Sequence, residues 1–426
     1  MNWKSLLPLG VFASIFLGSG VYFSVQGISN AFYQISPLVA ILPAIGLGLF
    51  LSGKNKLENF LKGAGHGDIM AMCFIFLLAG AFGAITKTIG SIQAVVDVCL
   101  WAIPGRFLLI TIFIIAALIS TFIGTSMGTI AAVGPMALAL GQQASLSKVL
   151  VSATVVGGAM FGDNLSFISD TTIAAVNSQK ASAHEKLRLN IKVALAAAML
   201  TIFVLGQYSY TAYEVDSAKV FSWSLLIPYV ALFTLALCQI EVFSSLLISL
   251  VIAVFVGIGH HFSIVTLCQS LAKGFGDMHE ILILSLAIGG LAGLLQSSFF
   301  TKSWTMKTTN SILGQLYIGF IVSVMDLLLA NNVIAILMSS ETSTQIRQQC
   351  QISSARVATW LDTFSCVFQG LIPYGAQLLL ISSLAKISPF AIVPHVYYCY
   401  ILAAVALVFI LFNLGQGSRG QEPHYS

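Results

Sequence analysis

The sequence predicts an all-α membrane protein with about ten transmembrane helices and two re-entrant hairpins, arranged as an inverted repeat. The first supporting observation is composition, because 58% of the 426 residues are apolar and only 8% are charged. The mean hydropathy is +0.94. A soluble domain has about 25% charged residues, so this chain could not cover a globule with polar surface, and lipid must be its solvent. The other two observations are recurrent apolar windows and a repeated order of motifs.

Apolar windows of about 17–25 residues are long enough to cross a bilayer as helices. Two longer segments, 148–178 and 357–384, are also predicted to span, but Gly, Pro and polar residues interrupt each of them. The stretches 106–141 and 311–340 are too long for one helix and too short for two crossings with a loop. Each has a small or polar break in its middle, which predicts a re-entrant hairpin. Uninterrupted spans are predicted near 5–26, 36–52, 69–90, 191–206, 221–238, 243–259, 279–298 and 389–413.

The basic residues predict the orientation. With the N-terminus in the cytoplasm and each hairpin returning to its own side, 13 Lys and Arg residues lie inside and 6 outside, as the positive-inside rule expects. If the first hairpin were a true crossing, the cluster 180–192 would move outward. The sequence therefore predicts an inner-membrane protein with both termini cytoplasmic. The cytoplasmic set is Lys4, Lys54, Lys56, Lys62, Lys180, Lys186, Arg188, Lys192, Lys302, Lys307, Arg347, Arg356 and Arg419.

The two halves of the chain resemble each other at an offset of about 205–211 residues. Lys62-Gly-Ala-Gly-His-Gly-Asp68 and Lys273-Gly-Phe-Gly-Asp277 each precede a Gly-rich helix, a hairpin and an interrupted helix. Chance similarity between Gly-rich membrane helices is the alternative. Five crossings in each half would place the second copy upside down. The predicted units are a first repeat at 1–206, an outer loop at 207–220, a second repeat at 221–413 and a cytoplasmic tail at 414–426.

Polar side chains are concentrated at the predicted breaks, deep within apolar segments. Paired broken helices in an inverted repeat indicate a secondary transporter whose site lies near the membrane midplane. The candidate ion- or substrate-binding residues are Asp163, Asn164, Ser166, Ser169, Asp170 and Thr171 from the first interrupted helix, Thr125, Ser126 and Thr129 from the first hairpin, Asp326, Asn331 and Asn332 from the second hairpin, and Asp362, Gln369 and Tyr374 from the second interrupted helix.

No Lys or Arg falls inside the core of these segments to pair with Asp163, Asp170, Asp326 or Asp362. A charged residue at the bilayer centre costs about 2.5–3.5 kcal/mol or more, so a bound cation or proton is expected there. Hydroxyl, amide and carboxylate oxygens suit Na⁺ or H⁺ rather than a soft metal, and Asp163, Ser166 and Asp170 are the predicted Na⁺ ligands. Simpler roles stay open, since Asp170 and Asp326 could cap helices and Asp362 could be solvated.

Three motifs in order then point to a known family. Gly162-Asp-Asn-Leu-Ser-Phe-Ile-Ser-Asp-Thr-Thr172 resembles the signature of the NhaC-type sodium/proton antiporter family. Gly124-Thr-Ser-Met-Gly-Thr129 and the stretch 361–377 are also similar to it. The resemblance implies membership of the ion transporter superfamily, with hairpins facing each other across the midplane and Asp163, Ser166, Ser169 and Asp170 at the site. This chain has Asn164 and Phe167 where many members have Lys and Pro.

Two functions are consistent with these features. The first is Na⁺/H⁺ antiport, and the second is Na⁺- or H⁺-coupled transport of a small organic solute such as an amino acid or carboxylate. Na⁺ or H⁺ is the predicted coupling ion, and no cofactor is expected. No metal, triad or cofactor motif indicates an enzyme, and seven scattered cysteines do not form a CxxC pair. The expected partners are the ion or solute and the lipid bilayer, with no nucleic acid, and a homodimer stays open as the assembly.

Overall fold

The structure is a computed structural model, and it describes residues 7–26, 34–52, 55–102, 104, 107–208, 222–299 and 308–414. All regular secondary structure in these ranges is helical, which confirms the predicted all-α class. Within the described ranges, six helical segments are long and apolar enough to cross a membrane, or seven if one sharply bent pair counts as a single span. The protein is therefore a multi-pass membrane protein.

The described residues of the first half of the chain form ten helices. The predicted hairpin and the interrupted segment of this half each form two separate helices rather than one kinked helix. The helices are α1 (Leu7–Val25), α2 (Pro37–Leu51), α3 (Lys56–Ala64), α4 (Gly67–Thr88), α5 (Ser91–Ala102), α6 (Leu108–Ile123), α7 (Ser126–Gln143), α8 (Lys148–Leu165), α9 (Asp170–Gln179) and α10 (Ala183–Gly206).

The described residues of the second half also form ten helices, of which α19 is very short. Short 3-10 turns precede α11 and follow α19. The helices are α11 (Ile227–Leu237), α12 (Val242–Gly259), α13 (Ile264–Asp277), α14 (His279–Phe299), α15 (Ser311–Leu329), α16 (Asn332–Cys350), α17 (Ser354–Gln369), α18 (Ala376–Ala385), α19 (Pro389–Ile392) and α20 (Tyr397–Leu411).

Both predicted interruptions of the long segments are present. Residues 166–169 separate α8 from α9, and residues 370–375 separate α17 from α18. At the first break, Ser166 and Ser169 have extended backbones, with ψ angles of 139° and 135°. At the second break, Pro373 lacks a backbone N–H and disfavours a helical conformation in the residue before it. These breaks free backbone groups and place hydroxyls and amides within the helical bundle.

Both predicted hairpin stretches contain two helices joined by two residues. Gly124 ends α6 with a φ of +75°, a left-handed conformation that glycine adopts without steric cost. Ala330 ends α15 with a φ of +48°. The second arms are longer than predicted, because α7 and α16 continue beyond the expected ends at 141 and 340. Ser311–Leu329 by itself is long and apolar enough to cross a membrane.

Two predicted boundaries were wrong. The helix expected near 191–206 begins at Ala183, where the Ser182 hydroxyl accepts a hydrogen bond from the Glu185 backbone N–H at 3.4 Å. Ser and Glu at this spacing form a helix-starting motif, which the apolar window did not detect. The span expected at 389–413 is also shorter, because its first residues form α19, which with the following turn bends 101° away from α18.

Helices α8 and α9 form the most buried candidate span of the described residues, since 89% of the apolar window in Lys148–Gln179 is buried. Helix α8 packs closely on α6 through two glycines four residues apart, an arrangement that lets membrane helices approach. A Cβ atom at Gly158 would lie 2.5 Å from the Phe113 carbonyl oxygen, and one at Gly162 would lie 2.4 Å from the Thr121 nitrogen. No side chain fits at either position.

Two pairs of helices connect the first and second halves of the chain. Helix α3 contacts α14, and α13 contacts α4. Both contacts are close, because a Cβ at Gly63 would lie 2.3 Å from the Gly289 carbonyl oxygen and one at Gly274 would lie 2.5 Å from the Gly80 carbonyl oxygen. The two halves are therefore interlocked rather than placed side by side.

This close packing predicts the effect of adding a single methyl group. Gly158→Ala and Gly162→Ala should each destabilise the protein by about 1–3 kcal/mol, because α6 and α8 must separate to accept the new atom. Gly46→Ala is the matched control, since nothing lies within 4 Å of its Cβ position. Thermal unfolding of the purified protein in detergent measures the effect, and equal unfolding temperatures for all three variants would contradict the packing argument.

Candidate ion-binding site

Asp163 lies in the last turn of α8, with only 4% of its surface exposed. The Ser126 hydroxyl, at the start of α7, donates a hydrogen bond to Asp163 Oδ2 at 2.7 Å. The Ser169 hydroxyl, in the break before α9, donates to Asp163 Oδ1 at 2.6 Å and lies 2.8 Å from Thr171 Oγ1. Each carboxylate oxygen therefore has its own hydroxyl donor, one from a hairpin tip and one from a helix break.

These hydroxyls suit an exchangeable cation. A Ser or Thr hydroxyl both donates and accepts hydrogen bonds, and its hydrogen can rotate. Hydroxyls that donate to a carboxylate without a bound ion can therefore rotate and turn their oxygen lone pairs towards a hard cation bound at that carboxylate. No Lys or Arg is within hydrogen-bonding distance of the Asp163 carboxylate among the described residues, so this carboxylate has no fixed counter-charge.

A row of hydrogen bonds extends from Asp163 across to the second half of the chain. Gln377, in the first turn of α18, donates from Nε2 to Ser126 Oγ at 3.1 Å. Its Oε1 accepts a hydrogen bond of 2.7 Å from Gln369 Nε2, which also lies 3.3 Å from the Ala330 carbonyl oxygen. The row therefore connects both hairpin tips with both helix breaks.

The prediction that the buried carboxylates lack a basic partner was wrong for Asp362. Lys186 on α10 forms an ion pair with Asp362 on α17, and neither side chain is exposed. The Lys186 ammonium also donates to Thr172 Oγ1 at 2.8 Å and to the Asn164 carbonyl oxygen at 3.3 Å. Lys186 is thus a residue of the protein interior and not part of a cytoplasmic charge cluster. Its removal from that set leaves the charge bias in the same direction.

Asn190 extends this contact one turn further along α10, because residues four apart lie on the same face of a helix. Its Nδ2 donates to Asn164 Oδ1 at 3.0 Å and to the Asn164 carbonyl oxygen. Its Oδ1 accepts from Thr363 Oγ1 at 3.3 Å. Through these hydrogen bonds, Lys186 and Asn190 connect the end of α8 to the middle of α17.

Asp326 is a second fully buried carboxyl, near the tip of the second hairpin. Neither of its side-chain oxygens has a hydrogen-bond partner within the described part of the chain. The neighbouring Asn331 is used locally, because its Oδ1 caps α16 by accepting from the Ile334 N–H at 3.0 Å. Asn332 similarly accepts from its neighbour Val333 at 3.1 Å.

Several predicted site residues lie outside the hydrogen-bonded group around Asp163. Asp170 is exposed in the first turn of α9. Ser166 accepts from the Ile168 N–H at 3.3 Å, and buried Thr129 donates to the carbonyl of half-buried Thr125 in its own helical turn at 3.0 Å. Of the three predicted Na⁺ ligands, only Asp163 is at the centre of the group.

Sequence reasoning missed four polar residues that contact the predicted ones, and the signals for two of them were present. Lys186 and Asn190 follow the helix-starting pair Ser182 and Glu185, so they belong to a helix and share its buried face. A second basic residue of the expected cytoplasmic set, Arg356, is only 6% exposed, and its Nε donates to Gln315 Oε1 at 2.7 Å. The missed residues are Lys186, Asn190, Thr172 and Gln377.

A crevice of about 420 Å³ opens beside the tip of the second hairpin. Its polar lining includes Asn59, Lys62 and His66 from the first half and Asn331 from the second. The residues of the Asp163 group do not line it. The crevice therefore lies next to the second hairpin, between elements of both halves.

An all-helical, multi-pass protein with a buried polar centre between broken helices belongs to the class of membrane transporters. The comparisons agree with this class. The model of the Na⁺/H⁺ antiporter family matches residues 2–210. The Malate-2H(+)/Na(+)-lactate antiporter of Bacillus subtilis is 23% identical over 96% of this chain and 94% of its own length. The Na(+)/H(+) antiporter NhaC of the same organism is 22% identical over 87% and 90%.

A further relative, the Na(+)/H(+) antiporter NhaC of Alkalihalophilus pseudofirmus, is 28% identical over 39% of this chain and 35% of its own length. A solved structure of Neisseria gonorrhoeae MtrF aligns with 96% of this chain and 95% of that chain, at 13% identity and a TM-score of 0.39, which supports no argument about the fold. The matched range of the family model includes the first two motifs, at 124–129 and 162–172. The antiporter family model therefore matches the first half of the chain, and the two relatives that match nearly the whole chain are named as antiporters.

The hydrogen bonds to Asp163 predict a difference between two serines. Ser169→Ala should destabilise the protein by about 1.5–3 kcal/mol, because it removes a hydrogen bond to an ionised carboxylate. Ser382→Ala is the matched control, since among the described residues this buried hydroxyl bonds only the Leu379 carbonyl of its own helix, at 2.9 Å. In thermal unfolding in detergent at alkaline pH, Ser169→Ala should have a lower unfolding temperature than Ser382→Ala. Equal unfolding temperatures would contradict an ionised Asp163.

Proposed function

We propose that this protein is a cation-coupled secondary active transporter that exchanges Na⁺ for H⁺ across the inner membrane by alternating access. The observation that supports this most directly is Asp163, a buried carboxylate that has two hydroxyl donors and, among the described residues, no basic partner. One carboxylate that binds either Na⁺ or H⁺, but not both, couples the two ions by competition. The names of the two NhaC relatives support the same pair of ions.

The proposed architecture is an inverted repeat of about ten transmembrane helices and two re-entrant hairpins. Exchanged helix pairs support it, because α3 packs on α14 where α13 packs on α4, and α10 packs on α17 where α20 packs on α8. The two broken helices also follow their hairpins in the same order. Non-helical backbone at this depth is tolerated only where it is buried in protein or lines a cavity. The excess of basic residues on one side supports cytoplasmic termini.

Alternating access requires contacts between the halves that depend on the bound ion. The hydrogen bond from Gln377 to Ser126 is a suitable contact, because Ser126 also donates to Asp163. A cation at Asp163 would compete with Gln377 for the lone pairs of the Ser126 oxygen. Cation binding and the contact between the halves are therefore linked through one hydroxyl.

Asp326 is the proposed second position for a proton or cation. An ionised carboxylate without a partner costs several kcal/mol when it is removed from water, and neither Asp326 oxygen has a partner among the described residues. A bound proton or cation removes this cost. Asp326 precedes the joint of the second helix pair and accepts from the Ala330 N–H through its backbone carbonyl, as Ser120 does from the Gly124 N–H in the first pair.

Coupled transport of a small organic anion is the second candidate function. The specific observation in its favour is the full-length similarity to a relative named as a malate and lactate antiporter. The N-termini of α7 and α16 lie at the hairpin tips, and helix N-termini favour anionic groups. In this case the solute would bind beside Asp163, and Na⁺ or H⁺ would drive its movement.

Exchange in proteoliposomes tests the first proposal. An outward Na⁺ gradient should acidify the lumen of liposomes that contain the wild-type protein, as measured with an entrapped pH dye. Asp163→Asn should abolish this signal, because the neutral amide has no negative charge with which to bind Na⁺ or H⁺. Asp277→Asn, the same substitution at an exposed position at the end of α13, should retain it.

The same liposomes distinguish the two candidate functions. If a Na⁺ gradient moves no protons in the wild type, Na⁺/H⁺ antiport is excluded. Proton or Na⁺ movement that begins only when malate or lactate is added on one side would support the second function. Uptake of labelled malate that is insensitive to both ions would exclude coupling.

A further inference from the structure

We propose that Lys186 is a permanent internal cation that sets how many cargo cations bind around Asp163. The inference rests on the proposed binding of a cation at Asp163 and adds a determinant of its stoichiometry. Lys186 belongs to the first half of the chain and its partner Asp362 to the second, and both side chains are fully buried. The ammonium therefore lies in the interior and has no access to bulk water.

The Lys186 ammonium is completely satisfied by the protein. It has three N–H donors, and it has three acceptors, namely the Asn164 carbonyl oxygen, Thr172 Oγ1 and Asp362 Oδ2. Thr172 also lies 3.2 Å from the same Asp362 oxygen. A side chain held by three partners in this way has a fixed position, unlike a diffusing ion.

Lys186 and Asp163 belong to the same polar group, because the residue after Asp163 is the one whose carbonyl accepts from Lys186. The group contains two buried carboxylates, Asp163 and Asp362, and one ammonium. Its net charge is −1 when all three are ionised. One monovalent cation makes it neutral, which is the favoured state in a region where unpaired charge is costly.

Other charges around this group do not alter the count. Cys366 Sγ lies 3.8 Å from Asp362 Oδ1 and is a neutral neighbour. Arg356, the other buried basic residue in the part of the chain that the structure describes, faces Gln315 and the carbonyl oxygen of Leu414 beyond the end of α20. Asp170 is exposed at the start of α9. The charge of Lys186 is therefore the one that offsets Asp362.

Three variants change the charge in a defined order. Lys186→Gln makes the group −2, Asp362→Asn makes it 0, and the double variant restores −1. Binding of radioactive Na⁺ to purified protein in nanodiscs at alkaline pH measures the number and affinity of bound ions. Lys186→Gln should bind one Na⁺ more per chain than the wild type. Asp362→Asn should bind Na⁺ at least about tenfold more weakly, because it removes one charge from a buried site.

The double variant is the decisive comparison. If Lys186 sets the charge, adding Lys186→Gln to Asp362→Asn should restore the wild-type Na⁺ number and bring the affinity back to within about threefold. If the pair only holds helices together, Na⁺ binding should be the same in Asp362→Asn and the double variant, and the inference is overturned. This comparison holds even if Lys186→Gln alone does not fold. An unchanged Na⁺ number in a folded Lys186→Gln variant also overturns the inference.

The binding experiment separates this inference from the proposed function. Wild-type protein that binds no Na⁺ refutes the cation site itself, and the role of Lys186 fails with it. Wild-type protein that binds Na⁺ but moves no protons in liposomes refutes antiport, whereas the charge count is still decided by the variants. If the wild type exchanges Na⁺ for H⁺ but the number of Na⁺ ions bound by the variants does not follow the charge of the group, only the role of Lys186 is refuted.

Discussion

Lys186 and Asp362 join α10 to α17 through an ion pair that water does not reach. Losing one partner of such a pair costs about 3–5 kcal/mol, because the other is left buried and uncompensated. The helices that bring the two residues together are therefore held in one arrangement. The same ammonium bonds the Asn164 carbonyl at the end of α8, beside Asp163. The position of the candidate cation site thus depends on a contact between the two halves of the chain.

Helix breaks give this site its chemistry. A continuous helix in lipid uses all of its backbone groups internally and exposes only its side chains. The break after α8 instead places Ser169 against Asp163, and the joint between α6 and α7 places Ser126 against the other carboxylate oxygen. Close packing of Gly158 and Gly162 on α6 brings the end of α8 next to the joint that precedes Ser126. Helix packing and the backbone breaks therefore together determine which oxygen atoms surround Asp163.

The contrast between Asp163 and Asp170 illustrates how far motif reasoning extends. Both aspartates occur in the same eleven-residue motif, and both were predicted to bind the ion. Asp163 is buried and hydrogen-bonded, whereas Asp170 is exposed seven residues later. The extended residues between them change the direction of the chain, so spacing along a helix no longer predicts which face a side chain occupies. Lys186 was misplaced for a related reason, because an apolar window cannot detect a helical turn that begins with polar residues.

Composition, apolar windows and the order of motifs were sufficient to predict an all-α membrane protein, two interrupted helices and two helix pairs with polar joints. These features are local, since they follow from hydropathy and from Gly, Pro and polar residues within each segment. The partners of the polar residues were decided only by the tertiary structure. Gln377 and Ser126 are 251 residues apart, and Lys186 and Asp362 are 176 apart. Such pairs form because residues buried away from water must satisfy each other, and helix packing determines which of them meet.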